Sequence, residues 1–248
     1  MKKVAEITFI FWLMKICATT LGETAGDLLS MTLSIGYGQS SLILLGFFVV
    51  TLIVQLRSKK YNPILYWAVI VSTSTAGTTI SDFMDRTLGL GYATGSLILV
   101  VGLVSMLSVW YLSEKSLSVS DIKTFRPELF YWLTILISNT LGTALGDYLV
   151  DSSGMGYIGG ATLIGSLIAI IALAYYFSPI SHTTLFWIAF VLTRPFGATF
   201  GDLLTKPIAK GGLNLGTTGS SVVLLSILLG FLFYEIYKKK KLLKLTNF

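Results

Sequence analysis

Histidine and cysteine are nearly missing from this chain of 248 residues: His182 and Cys17 stand alone. A single cysteine excludes a disulfide framework and any cysteine-based metal cluster. A single histidine excludes zinc centres with two or more imidazole ligands. Charge is scarce too. Only 12 % of residues are Asp, Glu, Lys or Arg, about half the share of a soluble domain. With a mean hydropathy of +0.78, that scarcity excludes a soluble globular enzyme, and a disordered chain equally. Also missing are GxSxG, HExxH and nucleotide-binding strings, so an enzyme is not expected. Any transport would be passive or driven by an ion gradient.

What is present reads as an all-α integral membrane protein whose partner is the lipid bilayer. A spanning helix needs about 20 mostly apolar residues. Eight stretches qualify: 6–29, 40–56, 64–84, 96–112, 129–150, 161–177, 183–204 and 220–237. The first is too long for a secretory signal, lacks a small-residue cleavage pattern and contains Lys15, Glu23 and Asp27. Continuous apolar runs of helix length also argue against a β-barrel.

The net charge of +6 could suggest nucleic acid, but its placement points to topology. Thirteen basic residues fall on one side: Lys2 and Lys3, Arg57 to Lys60, Lys115 to Arg126, and the lysines of a tail at 238–248. Arg86, Lys206 and Lys210 fall on the other. The asymmetry predicts both termini in the cytoplasm and no nucleic-acid partner. The basic tail could also touch anionic lipid.

An internal repeat sets the architecture. Trp12, Trp67, Trp132 and Trp187 are each followed ten residues later by glycine (Gly22, Gly77, Gly142, Gly197). Five residues further on comes aspartate: Asp27, Asp82, Asp147, Asp202. A glycine-rich link and a second apolar helix complete each unit. The Trp spacings are 55, 65 and 55, so repeats one and three lie 120 apart, as do two and four. A two-repeat unit was itself duplicated. Each repeat (6–56, 63–112, 128–177, 183–237) holds two spans, so all four are parallel. We expect four two-helix hairpins around a pseudo-fourfold or pseudo-twofold axis, forming a single membrane domain over 1–248.

With each Trp in an interfacial belt, fifteen residues of helix place each Asp about 22 Å away. A carboxylate within the hydrocarbon costs about 3 kcal/mol, so the aspartates should face the bundle interior or a wet vestibule. Positions four and seven before each Asp share its helix face: Glu23 and Thr20, Thr78 and Thr75, Thr143 and Thr140, then Ala198 and Pro195. Asp27, Asp82, Asp147, Asp202, Glu23 and these threonines form stripes of hard oxygen ligands. They suit Na⁺, K⁺, Mg²⁺, Ca²⁺ or Mn²⁺, or a proton relay. The four aspartates are candidate metal ligands, and a bound cation is the only cofactor suggested. The structural alternative is that the aspartates hydrogen-bond the links and the threonines their own helices, while the glycines allow close packing.

The repeats also differ. Arg194 aligns with Thr19, Ser74 and Asn139, at membrane depth. It needs a carboxylate partner, with Glu23, Asp27 or Asp147 as candidates. Lys15 reads as a snorkelling residue. Seven acids from Glu23 outward face Arg86, Arg194, Lys206 and Lys210, a net charge of −3 that would attract cations. The string SIGYG at 34–38 resembles a potassium-filter sequence, but its place reads GLGYA and GMGYI in the next repeats. Turn glycines with an interfacial Tyr37, Tyr92 or Tyr157 account for it better.

Four tandem two-helix repeats with these Trp, Gly and Asp positions resemble a bacterial membrane-protein family described only as a repeat of unknown function. The resemblance covers essentially the whole chain. It implies a multi-pass protein of the bacterial inner membrane and supplies no substrate or catalytic residue. The leading expectation is a cation channel or secondary transporter. The alternatives are a small organic-solute transporter, with Arg194 binding a carboxylate, and a non-transporting membrane scaffold or sensor.

Overall fold

The structure, a computed structural model, describes residues 3–245, with side chains to residue 239 except that of Asp121. Lys2 and the side chains of Lys240, Lys241 and Lys244, counted above on the basic side, lie outside the described residues. Eight helices follow in order: α1 Phe9–Asp27, α2 Tyr37–Arg57, α3 Pro63–Asp82, α4 Tyr92–Glu114, α5 Phe125–Asp147, α6 Gly156–Phe177, α7 His182–Thr205 and α8 Thr217–Leu245. No strand occurs among the described residues.

Local chemistry explains several helix ends. Thr8 caps α1 by accepting from the Phe11 amide at 3.2 Å, and Asn62 caps α3 by accepting from the Ile64 amide at 3.0 Å, with Pro63 at the first position. After Asp27, Asp82 and Asp147 the helix widens into one π-turn (Leu28–Thr32, Phe83–Thr87, Tyr148–Ser152). Each is closed by an i to i+5 bond of 2.9 Å: Leu33 to Leu28, Leu88 to Phe83, Ser153 to Tyr148. Repeat four has no such turn. There α7 runs on to Thr205, and a short 3₁₀ turn, Ile208–Lys210, follows.

The links share one backbone pattern. Two residues with positive φ flank an ordinary one: Ser34 and Gly36, Gly89 and Gly91, Gly154 and Gly156, Asn214 and Gly216. Gly36, at φ +83°, is the turn that starts α2. SIGYG is therefore a link, as its variants in the next repeats indicate.

The inner helices α1, α3, α5 and α7 form a closed ring in which each packs on the next and α7 returns to α1. Glycine sets the approach. Gly22 meets Ser74, Gly77 meets Asn139, Gly142 meets Arg194 and Gly197 meets Thr19. A methyl group at any of the four would come within 3.0 Å of that neighbour. One turn along, Gly26, Gly146 and Gly201 lie equally close to Thr78, Ala198 and Glu23. The same contact recurs from each repeat to the next around the ring, consistent with small residues bringing helix backbones together.

The outer helices overturn one expectation: the repeats are not self-packed hairpins. Instead α2 lies on α3, α4 on α5 and α6 on α7, and α8 closes the circle on α1. Each second helix covers the first helix of the following repeat. Tight α-to-α links would favour hairpins. Here the π-turn and link carry the chain sideways to the next unit.

The two rings differ in polarity. Among the described residues, five helices are long and apolar enough to cross a membrane: the four outer ones, and α5 with its π-turn. Only 17–28 % of the residues in the outer windows are buried, against 67 % for α5. Leu42, Val50, Leu97, Val104, Ile170 and Phe233 are among the exposed apolar side chains of the outer ring. The other inner helices carry buried Lys15, Glu23, Asp82, Arg194 and many hydroxyls. Shielded by the outer ring, they need not be apolar.

One end of the inner ring is filled with rings. Trp67, Trp132 and Trp187 are buried, with Tyr66, Tyr131, Phe190 and Trp110. Their centroids lie 5.0–6.5 Å apart in mostly edge-to-face pairs. This corrects the expectation of an interfacial Trp belt. Only Trp12 is half-exposed, edge-on to Phe11 at 5.3 Å. The repeated Trp packs between helices, where its area adds most to stability.

Candidate functional site

Along each inner helix, every fourth residue faces the axis. The helices meet on their i±4 ridges, which places four layers above the aromatic end. The first holds Lys15, Ile70, Ile135 and Phe190, and all four are buried. The Lys15 ammonium sits 4.0 Å from the centroid of the Phe190 ring and 3.4 Å from Asn139 Oδ1. Lys15 therefore does not snorkel. It is held inside by an aromatic face and an amide.

The second layer aligns Thr19, Ser74, Asn139 and Arg194. Arg194 is fully buried, and its guanidinium touches all three other inner helices. It donates to Glu23 Oε2 at 3.0 Å and the Thr19 carbonyl at 3.3 Å on α1. It also donates to the Thr143 hydroxyl at 2.7 Å on α5, and to Thr78 and the Ser74 carbonyl on α3. Of the three carboxylates expected as its partner, Glu23 is the one it meets. Asn139 ties the same layer together, donating to Thr73 at 3.0 Å and Ser74 at 3.3 Å.

The third layer is Glu23, Thr78, Thr143 and Ala198. Thr78 donates within reach of Glu23 Oε2 at 3.3 Å and of its own helix at Ser74. Thr20, Thr75 and Thr140 do not join this network. They donate to the carbonyls of Ile16 at 2.9 Å, Val71 at 3.1 Å and Leu136 at 3.0 Å on their own helices. The axis follows steps of four, and position seven before the aspartate turns off it.

The fourth layer holds the aspartates, all buried. Arg86 bridges Asp82 and Asp147, at 3.0 Å to each. Lys206 bridges Asp202 at 3.0 Å and Asp27 at 2.8 Å. Both cations stand four residues after their own aspartate, and both reach the aspartate of the following repeat. The equivalent positions in repeats one and three are Met31 and Asp151. The fourfold ring thus has twofold electrostatics, matching the duplication of a two-repeat unit. Arg86 and Lys206 are site residues that the stripe reasoning passed over. Their signal was the shared offset of four, within one helical turn of an aspartate.

Three carboxylates converge across this arrangement. Oxygen atoms of Glu23, Asp147 and Asp202 all lie within 4.8 Å of one another. Carboxylate oxygens at such spacing are ligands for a hard cation. Glu23, Asp27, Asp82, Asp147 and Asp202 face Arg86, Arg194 and Lys206, with Lys15 two layers below Glu23. Five buried carboxylates meet four cations, of which Lys15 and Arg194 are buried, Lys206 is half-buried and Arg86 is exposed. Of the other acids, Asp85 is buried beside Ser81 Oγ at 3.4 Å. Asp151 is exposed and accepts from the Tyr92 hydroxyl at 3.3 Å.

At the opposite end lies a cluster that the sequence did not suggest. Lys3 pairs with fully buried Glu128. Gln55 donates to Glu128 Oε1 at 2.9 Å, and Lys3 to the Leu56 carbonyl at 3.0 Å. It staples the N-terminal segment to the end of α2 and the start of α5, on the side that carries the basic loops.

Fold and axis together define a class: a ring of four parallel two-helix repeats, plugged by aromatics at one end and charged along its axis. The chain belongs to the family described as Repeat of Unknown Function (DUF347), with four successive matches at 10–61, 65–116, 130–181 and 185–241. No curated protein and no solved structure matches it.

Proposed function

We propose that this protein crosses the bacterial inner membrane eight times, with both termini in the cytoplasm, and transports a cation. The observation that carries the reading is the excess of buried carboxylate, centred on Glu23, Asp147 and Asp202. An uncompensated charge in a low-dielectric core is costly, and a cation held by the three carboxylates relieves it. The basic residues of the described loops, from Arg57 to Lys60 and from Lys115 to Arg126, support this orientation. In this orientation the aspartates face outward and the aromatic plug faces the cytoplasm. The plug favours a transporter with alternating access over an open channel. Arg194 and Thr78 hold Glu23 until an entering cation competes for it.

Reconstituted protein in liposomes should support flux of one of H⁺, Na⁺, K⁺, Mg²⁺, Mn²⁺ or Ca²⁺. Asp147→Asn, checked for an unchanged elution profile and helical content, should lose that flux. Flux of protons alone would mean that the carboxylates carry a proton in place of a metal ion. Absence of any flux from well-folded wild-type protein would overturn the proposal.

A further inference from the structure

A cleft of about 460 Å³ opens beside the aspartate layer. That volume lies in the usual range for small-molecule sites, about 300–1,000 Å³. Its wall includes Asp202 and Lys206, so it adjoins the carboxylate cluster directly. Two of its cations are already engaged: Arg86 with Asp82 and Asp147, and Lys206 with Asp202 and Asp27. Asp202 is engaged in turn. What remains is one charge of each sign. Among the described residues Lys210 has no ion-pair partner, and Asp151 accepts only from the Tyr92 hydroxyl at 3.3 Å. Tyr157, half-buried, adds an aromatic surface to the same wall.

We infer that this cleft binds a small zwitterion, a molecule carrying an ammonium and a carboxylate, which is co-transported with the cation. The inference rests on the cation reading above and names its second substrate. Lys210 takes the carboxylate. Asp151 takes the ammonium, with the Tyr157 ring offering a face to it. A simple anion would leave Asp151 opposed to it, and a simple cation would leave Lys210 opposed. Only a solute with both charges answers both residues. Because Lys206 and Asp202 border the cleft and the cluster alike, an occupant of one changes the field at the other. Binding at the two sites is then coupled, and reciprocally so.

The test is calorimetric titration of the full chain in detergent with glycine, alanine, glutamine and glycine betaine, with acetate and methylammonium as controls. Titrations run with and without saturating Na⁺, K⁺ or Mg²⁺. At least one zwitterion should bind and both controls should not. Lys210→Gln and Asp151→Asn should each weaken that binding about tenfold. Neither should change the affinity for the cation measured alone. The cation should tighten zwitterion binding about fivefold or more. Failure of every zwitterion to bind, equal binding of acetate, or indifference to both substitutions would overturn the inference. If the cation still binds in those cases, the proposal of cation transport survives. If no cation binds, that proposal fails first.

Discussion

The two ends of the inner ring were built from the same repeat and have diverged in opposite ways. At the aromatic end, Trp67, Trp132 and Trp187 are all buried and packed ring against ring, and they differ only in the partner of the indole N–H, Glu235 for Trp67 and the Leu117 carbonyl for Trp187. At the carboxylate end, the four equivalent aspartates fall into two bridged pairs, each with its own cation. Between the ends, the glycines make one contact four times over. Repeated residues in repeated surroundings are scaffold. Repeated residues whose surroundings have become unequal mark the level where the chain has specialised, which here runs from Lys15 to Lys206.

The sharpest way to break that comparison is at Arg194, which joins all four inner helices. Arg194→Leu leaves Glu23 buried without its cation and should cost about 3–5 kcal/mol. Adding Glu23→Gln should recover a large part of the loss, because the orphaned charge is gone. Thermal melting of both variants in detergent checks this. Trp132→Ala at the other end should cost about 3 kcal/mol through the void it leaves, yet leave cation binding per folded molecule unchanged. Equal damage to binding would erase the distinction between scaffold and site.

Smaller changes refine it. Gly197→Ala forces Thr19 and α1 away from α7 and should cost about 1–3 kcal/mol. Its counterpart Gly77→Ala, where the neighbour sits at 3.0 Å, should cost less. Smallest of all is the exchange of bridging cations. Arg86→Lys keeps the charge but loses the fork that reaches two aspartates, and should cost under about 1 kcal/mol. Its effect on cation affinity, read by titration, should exceed its effect on melting.

Much of this ring was written in the sequence. The Trp–Gly–Asp offsets gave the four repeats, and the 120-residue period pointed to a duplicated two-repeat unit with a pseudo-fourfold or pseudo-twofold axis. That Arg194 needs a carboxylate followed from its alignment at membrane depth with Thr19, Ser74 and Asn139, and of the three candidates it meets Glu23. What could not be read was which helix packs on which. The periodicity of α2 is equally compatible with α1 and α3, and only the sideways path of the π-turn and link decides. Lys15 was misplaced for a related reason. Snorkelling assumes a lipid-facing side chain, whereas an inner helix offered Phe190 and Asn139. On an ideal straight helix position seven before the aspartate lies nearer its face than position eight does, but packing on i±4 ridges selects position eight, which leaves Thr20, Thr75 and Thr140 bonded to their own helices. The staple of Lys3, Gln55 and Glu128 joins three distant segments and has no local signal at all.

The central claim is that Glu23, Asp147 and Asp202 together hold a metal cation, and melting in its presence tests this most directly. A ligand that binds only the folded state raises the melting temperature with its concentration. At constant ionic strength, one of Na⁺, K⁺, Mg²⁺, Ca²⁺ or Mn²⁺ should raise that of the wild-type protein and leave that of Glu23→Gln unmoved. A rise of equal size in both proteins would contradict the account, as would no rise in either from a protein that carries no protons.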